Sequence, residues 1–272
     1  MNKATFVLSA FGDEIADDLA TQLDVLAEEG VMNLELRSAW GKNVLDLSHD
    51  ELLHARDLLL TRGFGVSAIG SPIGKSNIEQ PREYETERMQ RAIAAARMLG
   101  TKRIRVFSFF CGENPDQHRD EVLARMKLLA DQAAEADMIL VHENEKDIYG
   151  DIATRCHDIL TSVGSLALHA AFDPANFVQC GVRPMQEAWP LLADYSTHIH
   201  IKDAVFADKS VRPAGAGDGD IPELLAALNA RGYEGFLTLE PHLKIAGPSG
   251  GFSGEAGMRV AIRALRELLA EE

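Results

Sequence analysis

The sequence predicts an α/β chain that closes into a single (β/α)8 TIM barrel spanning residues 1–272. Three observations predict it. Strand-like apolar runs alternate with amphipathic helical stretches from one end to the other, with no linker between halves. Eight such units fit into 272 residues, the length such barrels use. Acids and histidines recur at the ends of the later strands, where barrels of this kind gather their functional groups.

The units run in order. Thr5 to Phe11 reads as a strand, followed by a helix from about Asp17 to Glu29 that stops at Gly30. Met32 to Arg37 is the second strand, and Ser48 with Glu51 forms a capping-box signature for a helix ending at Gly63. The third strand starts at Val66, and its helix, about Tyr84 to Leu99, stops at Gly100. Arg103 to Phe110 and a helix from about Gln117 to Glu135 form the fourth unit, Met138 to Glu143 and about Gly150 to Val163 the fifth. Leu166 to Asp173 is followed by a shorter helix near Pro184 to Ala193, and His198 to Asp203 by a helix from Ile221 to Ala230. Phe236 to Glu240 and a helix from about Phe252 to Leu269 complete the set.

A doubly wound open sheet would carry a glycine-rich phosphate turn after its first strand. Here that turn reads Phe11-Gly12-Asp13-Glu14, with acids where a pyrophosphate would sit, and no Walker A pattern occurs. The formal net charge of -15 disfavours a nucleic-acid partner. No apolar run is long enough to span a membrane, and the N-terminal pattern fits a strand better than a secretory signal. Three scattered cysteines without a CxxC pair point to a reduced, cytoplasmic protein.

The most informative stretch is His198-Ile199-His200-Ile201-Lys202-Asp203. Alternation puts Ile199 and Ile201 on one face and His198, His200 and Lys202 on the other. The polar face then points into the barrel. The same alternation turns Glu143, Asp173 and Glu240 inward at the ends of the fifth, sixth and eighth strands. Three carboxylates and the His200 imidazole at one rim suit a divalent cation: Mn2+ first, with Mg2+, Co2+ and Zn2+ as alternatives.

Other polar groups are read with their neighbours. His198 lies one layer below His200, as a buried core or substrate-proximal histidine. Lys202 is positioned to orient a substrate oxygen or to neutralise nearby acids. Glu35 and Arg105 are expected to pair inside the barrel. Arg37, Trp40 and Lys75 lie at the rim as candidate substrate contacts, Trp40 as a stacking surface for a sugar ring. The stretch from Gly215 to Asp220 precedes a helix, but its acids argue against a phosphate site, and Asp220 is expected to cap that helix. Trp189 and the Gly247 to Gly254 loop are candidates for an interface or a lid.

The segments Val141 to Asp151, Phe172 to Phe177, His198 to Ala204, Pro213 to Ile221 and Leu237 to His242, in this order, make the chain similar to the xylose isomerase-like TIM-barrel superfamily, which includes sugar isomerases, epimerases and the endonuclease IV branch. The resemblance implies one metal held by Glu143, Asp173, His200 and Glu240, with Glu143 and Glu240 also moving the proton. Asn176 stands where several relatives place a histidine that touches substrate or metal, so it joins the candidate substrate-binding residues. The extra ligands of the endonuclease branch are not found.

The expected chemistry is isomerisation or epimerisation of a free sugar, keto-sugar or cyclitol by proton transfer next to a carbonyl through an enediolate. β-Elimination by a sugar lyase or dehydratase, acting on a 3-keto-glycoside or related compound, is the alternative. A non-catalytic sugar-binding protein and a DNA repair enzyme rank lower. The small-molecule carbohydrate is the expected partner, without a membrane or nucleic acid, and relatives suggest a dimer or tetramer.

Overall fold

The computed structural model describes residues 3–243 and 253–271. Eight parallel strands form a closed barrel: β1 (Thr5–Ala10), β2 (Asn33–Leu36), β3 (Gly65–Ile69), β4 (Arg103–Val106), β5 (Ile139–Glu143), β6 (Leu168–Phe172), β7 (Ser196–Ile201) and β8 (Glu234–Leu239). Each pairs with its neighbours in chain order, and β1 closes the ring against β8 from Thr5↔Glu234 to Ala10↔Leu239. The predicted barrel is the observed one.

The outer layer contains α1 (Leu19–Glu28), α2 (His49–Arg62), α3 (Arg82–Leu99), α4 (Arg119–Glu135), α5 (Ala153–Val163), α6 (Pro174–Gln179), α7 (Trp189–Leu192), α8 (Ile221–Ala230) and α9 (Gly254–Glu271). Local chemistry sets several boundaries. The Asp18 carboxylate accepts from the Thr21 amide, so α1 starts at Leu19. Ser48 and Glu51 form the predicted capping box, and Gly63 and Gly100 end α2 and α3 at φ 74° and 75°, a conformation that favours glycine.

Two helical features differ from the sequence expectation. Asp173 and Pro174 start a short α6 directly after β6. The stretch expected as one helix from Pro184 to Ala193 is a π turn, Pro184–Ala188, running into α7; Pro190, which has no amide donor, lies just past the junction. The expected start of α9 at Phe252 and most of the Gly247 to Gly254 candidate lid lie outside the described residues. Trp189, the other interface candidate, packs edge-on against Phe172 at 5.3 Å.

The apolar core lies between sheet and helices. Ile104, Leu140, Phe172, Ile199, Ile201, Leu237 and Leu239 all join it from the strands. The inside of the barrel is polar: Ser9, Ser67, Glu35, Arg105, His198, His200 and Thr238 are all buried. Ser9 and Ser67 hydrogen-bond across the interior at 2.7 Å. Buried polar groups of this kind persist when they find partners. No helix among the described residues is long and apolar enough to cross a membrane.

Candidate metal centre

Period-2 alternation brings four side chains from consecutive strands to the rim where the strands end. Glu143 is the last residue of β5, Asp173 follows β6, His200 lies near the end of β7 and Glu240 follows β8. One ligand atom from each lies within 4.8 Å of the other three, and all four residues are buried. His200 Nδ1 stands 3.3 Å from Glu143 Oε1 and 3.9 Å from Glu240 Oε2.

Each acid is held by further groups. Arg105 Nη1 donates to Glu143 at 3.1 Å while its Nη2 donates to the Gly70 carbonyl, and its guanidinium lies 4.9 Å from the Phe11 ring. The expected Arg105–Glu35 pair is therefore corrected: the guanidinium reaches up to Glu143, and Glu35 turns to the histidines of β7. Asn176 Nδ2 donates to Glu143 Oε1 at 3.1 Å and to the Asn144 carbonyl at 2.9 Å. Asn176 thus orients an acid of the cluster, and it also lines the cavity next to it. Lys202 Nζ sits 2.9 Å from Asp173 and 3.2 Å from Glu240. Arg37 binds Asp13, Glu14 and Glu240 at 2.7, 3.0 and 2.7 Å. His242 Nε2 lies 2.9 Å from Glu14 and 3.3 Å from Glu240.

These contacts set the charges. Burial alone would raise the Glu143 carboxyl, but His200 and Arg105 outweigh it and hold it down at about 2. Burial raises Asp173 to about 6, with the Glu143 and Glu240 charges adding to it against the opposing pull of Lys202. Burial would lower His200, yet Glu143 and Glu35 push it up to about 10. Burial would lower Lys202 as well, and Asp173 and Glu240 carry it well above its usual range. Glu240 is driven well below the carboxylate range, against its burial, by Lys202, His242 and Arg37.

The donor set fits a divalent cation. Six carboxylates (Asp13, Glu14, Glu35, Glu143, Asp173, Glu240) are linked in one network with three permanent cations (Arg37, Arg105, Lys202) and with His200 and His242, and a cation among the acids would take the place of the proton they hold on His200. His200 Nδ1 is buried, faces two of the acids and makes no hydrogen bond. Mixed oxygen and imidazole donors of this type accept Mn2+, Mg2+, Co2+ or Zn2+.

One layer deeper, His198 Nε2 lies 2.7 Å from Glu35 Oε2 and 3.2 Å from Thr238 Oγ1. His198 is fully buried and engaged there, so its candidate role as a substrate contact is corrected. Next to the cluster, and reached through its partners Asn176, Lys202 and His242, is a cavity of about 610 Å3 that Glu145, Lys209 and Arg212 also line.

The remaining rim candidates separate. Lys75 pairs with Glu145 at 3.0 Å, beside the cavity, and lies over the Phe107 ring. Trp40 has one ring face stacked on His54 at 5.2 Å and does not line the cavity. His142 faces outward and contacts Ser108 Oγ at 3.0 Å. The glycine-rich turn already has an anion. The Asp203 carboxylate accepts from the amides of Ala204, Gly215, Gly217 and Gly219. Asp220 holds the N-cap position of α8 at φ 54° without a side-chain cap bond, contrary to expectation.

Sequence reasoning missed Asp13, Glu14, His242 and Asp203 as parts of this assembly. Asp13 and Glu14 follow the first strand, and His242 follows Glu240 by two residues, so rim position was a usable signal for these three. Asp203 carried none beyond its neighbourhood to the histidines.

A polar-centred (β/α)8 barrel with an acid–histidine cluster at the strand ends defines the class. The chain belongs to the xylose isomerase-like TIM barrel family, whose sequence profile matches residues 23–268. None of the curated proteins is a sequence match to it. Among solved structures it is similar to the probable 3-DHS dehydratase AsbF of Bacillus anthracis (15% identity, 98% of this chain and 99% of that one, TM-score 0.75). It is also similar to the 3-keto-D-glucoside 4-epimerase YcjR of E. coli (15%, 98% and 100%, TM-score 0.71). A third, the IOLI protein with a bound zinc atom, gives 14%, 97% and 98%, with a TM-score of 0.77. At these identities the likeness shows a shared fold.

Proposed function

We propose that this chain is a divalent-metal-dependent isomerase or epimerase of a free sugar, keto-sugar or cyclitol. The observation that carries the reading is the convergence of Glu143, Asp173, His200 and Glu240 within 4.8 Å, next to a cavity whose lining includes their partners Asn176, Lys202 and His242. These four side chains would hold the ion. A bound cation supplies Lewis-acid polarisation of a substrate carbonyl and its neighbouring hydroxyl.

The protein's own groups do the rest. Glu143 and Glu240 come from strands separated by two others, so they address a substrate from different sides. One removes the proton next to the carbonyl and the other returns it to the opposite face or to the adjacent carbon. Arg105 and Asn176 fix the first carboxylate, and Arg37 and Lys202 the second. Lys202 also lines the cavity, where its ammonium would donate to a substrate oxygen.

A second reading, β-elimination, is favoured by the same Lys202 and by His242. Both are proton-bearing groups beside Glu240 and at the cavity wall, where a departing hydroxyl would need a proton.

The test is proton exchange. Metal-loaded protein in deuterated water is incubated with ketoses, cyclitols and 3-keto-glycosides and followed by proton NMR. Loss of a C–H signal next to a carbonyl is expected with the native chain and absent in Glu143→Gln and Glu240→Gln. Epimer or ketose–aldose products support the first reading, and an unsaturated product the second. Full turnover in both variants removes the two glutamates as bases.

A further inference from the structure

The polar layer beneath the proposed metal seat has no role in the reaction above. Glu35, His198 and His200 are fully buried and lie within 4.8 Å of one another. They resemble a second ion site. A simpler account is at hand: His198 Nε2 lies 2.7 Å from Glu35 Oε2, a hydrogen bond that satisfies the pair without an ion.

We propose instead that Glu35 is a positioning residue that decides which ring nitrogen of His200 is offered to the cation. The inference rests on the metal reading of the preceding section. His200 stands between two sets of acids. Its Nε2 lies 3.4 Å from Glu35 Oε2, and its Nδ1 lies 3.3 Å from Glu143 Oε1. A neutral imidazole carries one N–H and one lone pair. Glu35 Oε2 is the acceptor that faces Nε2, so a proton held on that side leaves the Nδ1 lone pair facing Glu143 and Glu240. In the ion-free protein a proton on Nδ1 meets these two carboxylates, and a cation would take its place. Without Glu35 nothing at the Nε2 edge distinguishes the two tautomers.

The neighbours show why Glu35 can hold this position. His198 Nε2 donates to the same Oε2 atom and so ties the carboxylate down from below. Thr238 Oγ1, 3.2 Å from that nitrogen, fixes the His198 ring in turn. The His200 ring makes edge-on contacts with Phe11 and His198, each 5.3 Å away, which favour its present orientation. Carboxylates that orient a ligating histidine in this way contribute roughly 10- to 100-fold to metal affinity.

Zinc is the probe, because it is diamagnetic and needs no substrate. In zinc-loaded protein with 15N-labelled histidine, long-range proton–nitrogen correlation spectra read both ring nitrogens. His200 is expected to carry its proton on Nε2 and zinc on Nδ1; zinc on Nε2 overturns the proposal. Zinc affinity is then measured by competition with a chromophoric chelator. Glu35→Gln is expected to weaken binding roughly 10-fold or more, toward the 100-fold end for Glu35→Leu, with a smaller loss in His198→Gln. Undiminished affinity in both Glu35 variants overturns the role of Glu35 while leaving the metal reading intact. A native chain that binds no zinc overturns both, and two zinc ions per chain establish the deeper triad as a second seat and overturn the positioning role. If the variants fail to fold, the nitrogen assignment in the native chain decides alone.

Discussion

Replacing Asp203 with asparagine tests how the cavity wall is held. In the native chain Oδ1 accepts from the Ala204 and Gly219 amides, both at 2.8 Å, and Oδ2 from Gly215 and Gly217 at 2.9 and 3.0 Å. Asparagine keeps one oxygen and sets an NH2 group against two N–H donors. Hydrogen bonds to a charged partner contribute about 1.5–3 kcal/mol each. Gly215 is exposed and recovers water, whereas Gly217 is half-buried. The net loss is therefore about 3 kcal/mol, or roughly 6–12 °C in melting temperature for a chain of this size. The turn can also open locally without the barrel unfolding, which limits the global loss and transfers it to the loop. Thermal melting reads the first effect, and amide exchange at Gly217 and Gly219 the second. Gly217→Ala should act in the same direction, since its Cβ would lie 2.3 Å from Asp203 Oδ1. An unchanged melting temperature together with unchanged exchange at both glycines would refute this account of the turn.

Two further outcomes are expected. Exhaustive chelation should lower the melting temperature and abolish any deuterium exchange, and Mn2+, Mg2+, Co2+ or Zn2+ should restore both; exchange that survives chelation argues against the proposed centre. His142 gives a pH signature. Burial lowers its imidazole from 6.5 to about 4, so the unfolded chain binds a proton that the folded chain refuses between those values. The resulting stability is complete above about pH 6.5 and is lost as pH falls toward 4, an order of about 3 kcal/mol. Urea midpoints at pH 7 and 4.5, in chelator, should fall further for the native chain than for His142→Gln, and equal falls would show that His142 does not carry the effect.

The strand-end acids were legible because alternation fixes the face and the barrel fixes the end. Two facts then place Glu143, Asp173, His200 and Glu240 without any knowledge of packing. Partner choice inside the barrel was not legible. Glu35 and Arg105 do face inward, as alternation requires. Which groups meet depends on the stagger between strands, and the pairing of β2 with β3 carries a register shift between Leu34 and Glu35. That stagger sends Arg105 to Glu143 and leaves Glu35 to the histidines. Trp40 was misplaced because its backbone lies in a tight ribbon turn, at φ 54°, where strand periodicity no longer applies. The glycine-rich stretch was read through its own acids, Asp218 and Asp220, whereas the anion its amides hold is Asp203, a side chain 12 to 16 residues earlier.

Closure of the ring by β1 and β8 has a consequence for how the molecule assembles. Glu240 meets Arg37 across 203 residues of chain, and Ser253 meets Glu14 across 239. Such distant segments carry the largest chain-entropy cost of any contacts described here. All four proposed ligands come from the consecutive strands β5 to β8, Glu240 lying beside His200 through the pairing of β8 with β7, whereas Arg37 and Glu14 reach the cluster from across the seam. Shutting the seam therefore completes the shell of charges around the cluster rather than the ligand set: until the two ends of the chain meet, Glu240 has its strand partner but lacks the guanidinium that holds it.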